Sequence, residues 1–288
     1  MSKMNKNLTN ATLQKKFNKL CLDLQKLGKD GLVICFSGGV DSTMLAASAK
    51  EAGCQPLLLT FMTPTIARRD LTEAAAIGRE LALSHQILEL NTLNIPQVLN
   101  NEESRCYFCK KALYEAAADL AREQGYHYIA DGCNMDDIAP DVYRPGTKAA
   151  DETGVLHPLI DAGFTKEDIR AQSKELGLRN YNRPASPCLI SRFPYNTLIT
   201  KKALEMAEDG ESVLRQLGMD NLRLRVHGDL ARLEIDPQEE ILVMEHRKEI
   251  TDQLQQVGFN YVCLDLAGLV SGSYDKTSQR KHKIKGKA

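Results

Sequence analysis

Along the first half of the chain, short continuous apolar runs alternate with stretches in which apolar residues recur every three or four positions. Leu32-Val33-Ile34-Cys35-Phe36 is one such run, and an unbroken run of that length marks a strand buried on both faces. Pro56 to Phe61 repeats the pattern, and His85 to Leu90 and Tyr126 to Ala130 are further strand candidates. Between them, Ser42 to Ala52, Leu71 to Leu83 and Tyr107 to Ala121 carry helical spacing or composition. Strand–helix alternation predicts parallel βαβ units with helices on both faces of the sheet.

The rhythm then changes. Asp131 to Thr153 holds Gly, Pro and charges and is expected to be loop. Thr165 opens a helix with Asp168 three residues on, the spacing of a capping box, and Gly177 closes it. Asn180 to Tyr195 contains Pro184, Pro187 and Pro194 and cannot be regular helix. Lys201 to Leu217 is helical and stops at Gly218. Leu222 to Val226 and Ala231 to Ile235 alternate with period two around a His227-Gly228-Asp229 turn. A helix over Gln238 to Val257 and a strand over Tyr261 to Leu266 complete an α-β-β-α-β order. The expected organisation is α/β: a parallel-sheet domain over residues 1–195, a small α+β domain over 196–275 with a sheet wet on one face, and a basic, disordered tail over 276–288.

Composition narrows the function. Of 288 residues, Lys and Arg number 37 and Asp and Glu 38, a net charge of −1. No global field would gather phosphate, so neither a nucleic-acid nor a membrane partner is expected. No apolar run approaches the roughly 20 residues that span a bilayer. The polar N-terminus shows no secretory h-region, so a cytoplasmic protein is expected. The 8 cysteines therefore read as thiols rather than disulfides.

The sharpest feature is Ser37-Gly38-Gly39-Val40-Asp41-Ser42, after the first buried strand and before a helix. Two glycines let the backbone turn tightly and bring N–H groups close to an anion. The helix start adds unpaired N–H groups and a favourable partial charge. No Lys precedes the final Ser, so this is not a Walker A loop, nor is it the dinucleotide fingerprint. It matches the PP-loop, SGGxDS, of the ATP pyrophosphatase superfamily. That resemblance implies ATP cleavage between the α- and β-phosphates, with the pyrophosphate held by Ser37, Gly38, Gly39, Val40, Asp41 and Ser42. It gives Asp41 a part in organising Mg²⁺ or the loop, and puts adenine near Thr60-Phe61-Met62.

Cys106-Tyr107-Phe108-Cys109 opens a helix, and Cys188 lies in the Pro-rich segment. A redox dithiol, a zinc site and a [4Fe–4S] cluster all use C-x-x-C. The first suits a thioredoxin-like fold, and the second wants four ligands. Three thiolates can hold a cluster with one iron open to an exogenous ligand. Cys35, Cys263, Cys21 and Cys54 read as structural. Cys133, after Asp131-Gly132 at the end of the fourth strand, lies near the expected ligand crevice.

Beyond the loop, the chain resembles the LarE family, ATP-dependent sulfurtransferases that build the nickel-pincer nucleotide cofactor. The supporting stretches are Tyr143-Arg144-Pro145-Gly146-Thr147-Lys148, Cys188-Leu189-Ile190-Ser191-Arg192-Phe193-Pro194-Tyr195, Leu222 to His227 and Ala231-Arg232-Leu233-Glu234. The resemblance runs from about residue 15 to 275. It implies an adenine nucleotide alpha-hydrolase-like fold and pyridinium-3,5-biscarboxylic acid mononucleotide as substrate. It further implies adenylation of a carboxylate with release of pyrophosphate, then sulfur attack that displaces AMP and leaves a thiocarboxylate. In single-cysteine members the cysteine at the position of Cys188 gives up its own sulfur. This chain departs from them by carrying Cys106 and Cys109 as well, and so resembles the subgroup in which three cysteines hold a [4Fe–4S] cluster. There a bound sulfide is the donor and Cys188 survives as a ligand. A sulfide source and a homo-oligomeric state are further expectations.

Arg223 and Arg225 project on one face of a strand and suit a phosphate or carboxylate. With the resemblance, Ser191 and Arg192 complete a substrate-phosphate site, Glu211 and Glu234 are near substrate or metal or are surface carboxylates, and Lys110 neutralises an adenylate phosphate. His227 sits in a turn with no assigned role. Two other readings remain. One is another AMP-forming PP-loop enzyme, of tRNA thiolation or amide formation. The near-neutral charge weighs against tRNA, and no glutaminase segment precedes the loop. The other is a non-catalytic nucleotide or iron–sulfur binding protein, which would release no pyrophosphate.

Overall fold

The computed structural model describes residues 3–139, 145–270 and 274, with side chains from residue 11 onward and without that of Pro145. Tyr143, Arg144 and the basic tail over 276–288 lie outside the described residues. The chain divides into two compact units: unit 1 is Met1–Ile95 with Ser104–Ser186, and unit 2 is Pro96–Glu103 with Pro187–Ala288.

Unit 1 opens with helix α1 (Lys3–Lys29), then β1 (Leu32–Cys35), α2 (Val40–Glu51), β2 (Leu57–Met62), α3 (Arg68–Leu81) and β3 (His85–Glu89). After the excursion of the chain into unit 2 it resumes with α5 (Arg105–Glu123), β4 (Tyr128–Ala130), α6 (Pro145–Thr153), α7 (Pro158–Asp161) and α8 (Lys166–Glu175); α4 (Pro96–Leu99) belongs to unit 2. The strands form a parallel sheet ordered β3-β2-β1-β4. Alternate residues feed opposite faces. Leu32, Ile34 and Leu58 join Leu20, Leu24 and Met44 in one core cluster, and Val33, Leu57 and Leu59 join Tyr114, Ala117 and Leu120 in the other. The continuous apolar runs thus reflect a sheet covered on both sides. The fold is adenine nucleotide alpha-hydrolase-like.

Two elements of unit 1 differ from the sequence reading. Helix α1 was not anticipated, although Leu13, Leu20 and Leu24 are buried at helical spacing. The expected loop over Asp131 to Thr153 contains a 3₁₀ turn at Met135–Ile138 and helix α6. The capping box at α8 is present: Thr165 Oγ1 accepts from Asp168 N, and the Asp168 carboxylate accepts from Thr165 N.

In unit 2, α9 (Lys201–Gln216) precedes the hairpin β5 (Leu222–His227) and β6 (Leu230–Ile235). Helices α10 (Glu240–Glu245) and α11 (Arg247–Val257) lead to β7 (Tyr261–Leu264). The expected continuous helix over Gln238 to Val257 is broken at His246, which closes α10 and opens α11. The sheet order is β5-β6-β7, antiparallel then parallel. Leu222, Leu224 and Val226 are buried, and Gly210 of α9 lies so close that a Cβ there would meet Leu224 Cδ1 at 2.5 Å. The opposite face is not simply wet, because Arg225 and Glu234 on it are also buried. Cys263, expected to be structural, is exposed on β7.

Candidate active site

Parallel sheets bind ligands at the carboxyl ends of their strands, where the winding changes direction. Here β1 is flanked by β2 and β4, so the switch lies between β1 and β4. Both the Gly-rich loop and the Asp131–Cys133 segment leave the sheet at this point. They touch: a Cβ on Gly132 would lie 2.9 Å from Ser42 N.

The loop is built from its own residues. Gly38 has φ +68°, and a Cβ there would meet Ala74 Cα at 2.7 Å, so both conformation and space demand glycine. Gly39 caps α2 with φ −72°. Ser42 Oγ donates to Gly39 O at 3.3 Å and accepts from Ser37 N at 3.3 Å. Asn180 Nδ2 reaches in from α8's far side and donates to Gly38 O and Thr43 Oγ1, both at 3.0 Å. The first N–H groups of α2 have no helical acceptor and face the loop's concavity. Lys166, the first residue of α8, places its ammonium 2.6 Å from Asp41 Oδ1. A lysine bound to the loop's one carboxylate can turn to a phosphate oxygen once an anion enters. Phe61 is buried in the core cluster at the end of β2, and Met62 after it is exposed.

At the end of β4, Asp131 is buried and is the acceptor for an entire cluster. Tyr114 Oη donates to it, His157 Nδ1 lies 2.6 Å away, Lys110 Nζ 3.4 Å, and Cys133 donates from both N (2.9 Å) and Sγ (3.1 Å). Burial alone would raise the Asp131 pKa, but the His157 hydrogen bond and the Lys110 charge hold it well below the usual carboxylate range. Burial and the Asp131 charge push the Cys133 thiol up to about 12, so it is no ready nucleophile. Burial would lower the Lys110 and His157 values, and Asp131 outweighs it in both cases.

Cys106 and Cys109 lie one turn apart at the start of α5, one exposed and one half-buried, and neither is in a disulfide. Cys188 is exposed in unit 2, and its loop is pinned from behind. Ser191 Oγ donates to Cys188 O at 2.8 Å. Arg192 Nη1 donates to Pro187 O (2.8 Å), Cys188 O (3.3 Å) and Ser191 Oγ (2.9 Å). The same guanidinium, 1% exposed, binds Glu211 through Nε (2.8 Å) and Nη2 (3.0 Å). Arg215 Nη2 adds a bond to Glu211 at 3.0 Å. Burial opposes ionisation of Glu211, yet Arg192 and Arg215 bring its pKa to about 2.

Arg225 donates to Glu234 at 2.7 Å and to Ser191 O at 2.6 Å, and Arg232 donates to Glu234 at 3.1 Å. Glu211 and Glu234 are therefore buried counter-ions and not surface carboxylates. Arg223 is half-buried; burial first, then the Arg192 and Arg225 charges, lower its pKa to about 10, the mark of cationic charge crowded where an anion would relieve it. His227 accepts or donates one bond with Tyr274 Oη at 3.2 Å.

The structure thus groups the PP-loop, Lys110, Cys106 and Cys109 within unit 1. It groups Cys188, Ser191, Arg192, Glu211, Arg223, Arg225 and Glu234 within unit 2. Sequence reasoning missed Lys166, Asn180, Tyr114 and His157, and treated Asp131 only as the neighbour of Cys133. The signal available for Lys166 was its place directly after a helix cap, on an element adjacent to the loop.

A phosphate loop at the switch point of a four-stranded parallel sheet defines a PP-loop nucleotide-binding protein. The comparisons agree. Residues 31–180 match a family described as a family of unknown function, DUF7411. Over 250 residues the chain is 37% identical to an uncharacterized protein of Synechocystis sp., covering 86% of this chain and 92% of that one. It is 36% identical over 276 residues to the pyridinium-3,5-bisthiocarboxylic acid mononucleotide synthase of Lactiplantibacillus plantarum, covering 93% and 96%. A more distant match, 24% identical over 235 residues, is the tRNA-specific 2-thiouridylase MnmA of Xanthobacter autotrophicus, covering 66% and 60%. The chain belongs to the LarE family. No helix among the described residues is long and apolar enough to cross a membrane.

Proposed function

We propose that the protein is an ATP-dependent sulfurtransferase acting on pyridinium-3,5-biscarboxylic acid mononucleotide. The observation that carries the reading is the PP-loop, with Asn180 bracing its backbone and Lys166 on Asp41. The loop's N–H groups and Lys166 bind the β- and γ-phosphates, which favours scission at the α-phosphorus. A substrate carboxylate oxygen attacks that phosphorus, pyrophosphate leaves, and an acyl-adenylate results. Sulfur then attacks the acyl carbon and AMP departs with the electron pair of the broken C–O bond, leaving a thiocarboxylate. Lys110 offsets the adenylate charge, and Asp41 supplies an oxygen ligand suited to the Mg²⁺ that accompanies ATP. Ser191, Arg223 and Arg225 hold the substrate phosphate, while Arg192, Glu211 and Glu234 keep that surface and the Cys188 loop in place.

The thiols at Cys106, Cys109 and Cys188 suit a [4Fe–4S] cluster, since all three are at least partly accessible and none is in a disulfide. When bound there, the cluster would offer an open iron for the sulfide that becomes the product sulfur. If Cys188 instead donates its own sulfur, loss of its Cα proton with cleavage of the Cβ–S bond releases the thiocarboxylate and leaves dehydroalanine.

The test is ATP-dependent pyrophosphate release with the mononucleotide, alongside iron and acid-labile sulfide per chain after anaerobic purification. Pyrophosphate release that requires the mononucleotide supports the reading, and none with it refutes the reading. About four irons per chain, lost in Cys106→Ala, Cys109→Ala and Cys188→Ala, is expected for the cluster. Absence of iron after reconstitution, with Cys188 lighter by one sulfur after turnover, would replace the cluster by a sacrificial cysteine.

A further inference from the structure

We propose that Asp131, Cys133 and His157 form a mononuclear site for a borderline-soft divalent cation of the zinc, cobalt or nickel class, with one coordination position open. The site lies within unit 1, at the carboxyl end of β4. It uses none of the three thiols discussed above and goes beyond the sulfur-transfer reading.

Geometry comes first. A carboxylate oxygen, a thiol sulfur and a ring nitrogen lie within 4.8 Å of one another. Tetrahedral zinc with bonds of about 2.0–2.3 Å needs ligand–ligand edges of about 3.3–3.7 Å. The present spacings, 2.6 Å for Asp131 to His157 and 3.1 Å for Asp131 to Cys133, are those of donors hydrogen-bonded to one another. Small side-chain movements open them to that size.

The second observation is an unmet group. His157 Nε2 is buried with no hydrogen-bond partner among the described residues, although Nδ1 faces Asp131. With the proton on Nε2, which nothing among the described residues engages, the Nδ1 lone pair faces Asp131 and is available to an ion.

The donor set selects the ion. One oxygen, one nitrogen and one sulfur are a poor match for Mg²⁺ or Ca²⁺, which take oxygen, and a good match for borderline-soft cations. On binding, the Cys133 thiol releases its proton to solvent and the thiolate pairs with the ion. Thiolate and carboxylate together cancel its double charge. Lys110, with a 37% exposed side chain, has room to turn its ammonium outward from Asp131. Water or a ligand oxygen would take the fourth position, beside the loop that Gly132 touches.

Cobalt(II) is the probe, because thiolate ligation gives a near-ultraviolet charge-transfer band and a tetrahedral field gives strong visible bands. The full chain carrying Cys106→Ala, Cys109→Ala, Cys188→Ala and Cys263→Ala removes the three exposed thiols and Cys109 as competitors. In that background, about one cobalt per chain with both features is expected. Adding Cys133→Ser should abolish the charge-transfer band, and adding His157→Gln should weaken cobalt binding by more than about 100-fold. No charge-transfer band in the background protein, or a band that survives Cys133→Ser, would overturn the site. If Cys133→Ser does not fold, judged by far-ultraviolet circular dichroism, the His157→Gln titration decides: unchanged affinity there overturns the site as well.

Discussion

Gly38 and Gly39 are adjacent and equivalent in the motif, yet the structure separates them. A methyl on Gly38 would sit 2.7 Å from Ala74 Cα and 2.9 Å from Ala74 N, and the residue is at φ +68°. Both neighbours are backbone atoms of α3 and cannot rotate away. Ala in the left-handed region costs about 1–2 kcal/mol, and forcing a methyl into packed backbone adds about 1–3 kcal/mol. Gly38→Ala should therefore destabilise unit 1 by about 3 kcal/mol. For a domain of this size that is a fall of about 6–12 °C in Tm. A methyl on Gly39 meets only Ser37 Oγ at 3.2 Å, at φ −72°. The gain from a stiffer unfolded chain then roughly offsets the poorer cap, and Tm should move by no more than about 2 °C. Thermal unfolding of both variants, followed by far-ultraviolet circular dichroism, reads the difference. Equal melting temperatures for the two, or a larger fall for Gly39→Ala, would refute the steric argument.

Lys166→Met removes the cation from Asp41 but little stability, since the pair is about one-third exposed; ATP affinity measured by calorimetry should fall about tenfold, or about 1.4 kcal/mol. Asn180→Ala strips the bonds to Gly38 O and Thr43 Oγ1, and chemical denaturation should report a loss of about 2 kcal/mol. Glu211→Gln leaves Arg192 buried without its counter-ion and should cost about 3–5 kcal/mol, whereas Arg192→Met with Glu211→Met should recover most of it. Because the folded pKa of Glu211 is depressed from 4.5 to about 2, its contribution is full above about pH 4.5 and is lost as pH falls toward 2. The acid limb of a pH–stability curve should lose about 3 kcal/mol through that window in the wild type and much less in the double Met variant.

What was legible in the sequence was whatever local rules decide. The apolar run Leu32–Phe36 signals a doubly covered strand, and Thr165 with Asp168 signals a cap that is present. The two glycines between strand and helix signal the anion loop. Helix α1 was equally legible from Leu13, Leu20 and Leu24, but the polar residues between them leave only a sparse apolar stripe, a weak periodic signal. The site's second half was not legible, because it is assembled by pairing across long stretches of chain. Lys166 meets Asp41 from 125 positions away, and His157 meets Asp131 from 26. Nor does a period-two strand reveal whether Arg225 faces water or a buried carboxylate. That depends on Glu234, on the next strand two residues beyond its register partner Arg232, and on the Ser191 carbonyl that takes its other donor.

Asn101 gives the order of assembly a direction. It is fully buried in the left-handed region, and its side chain donates to Phe193 O and Pro194 O. Its own carbonyl accepts from Asn196 N, and Leu99 O accepts from Ile199 N. On a ribosome adding about 5–20 residues per second, the 93 positions between Asn101 and Pro194 take roughly 5–20 s to emerge. Through that interval Pro96–Glu103 is an orphan graft, already threaded out between β3 and α5 while its host does not exist. Unit 2 is therefore sewn into the chain at two places. A single cut after Ser186 would release a fragment stripped of the peptide that Pro194 and Ile199 need, and separating the units cleanly would take three cuts.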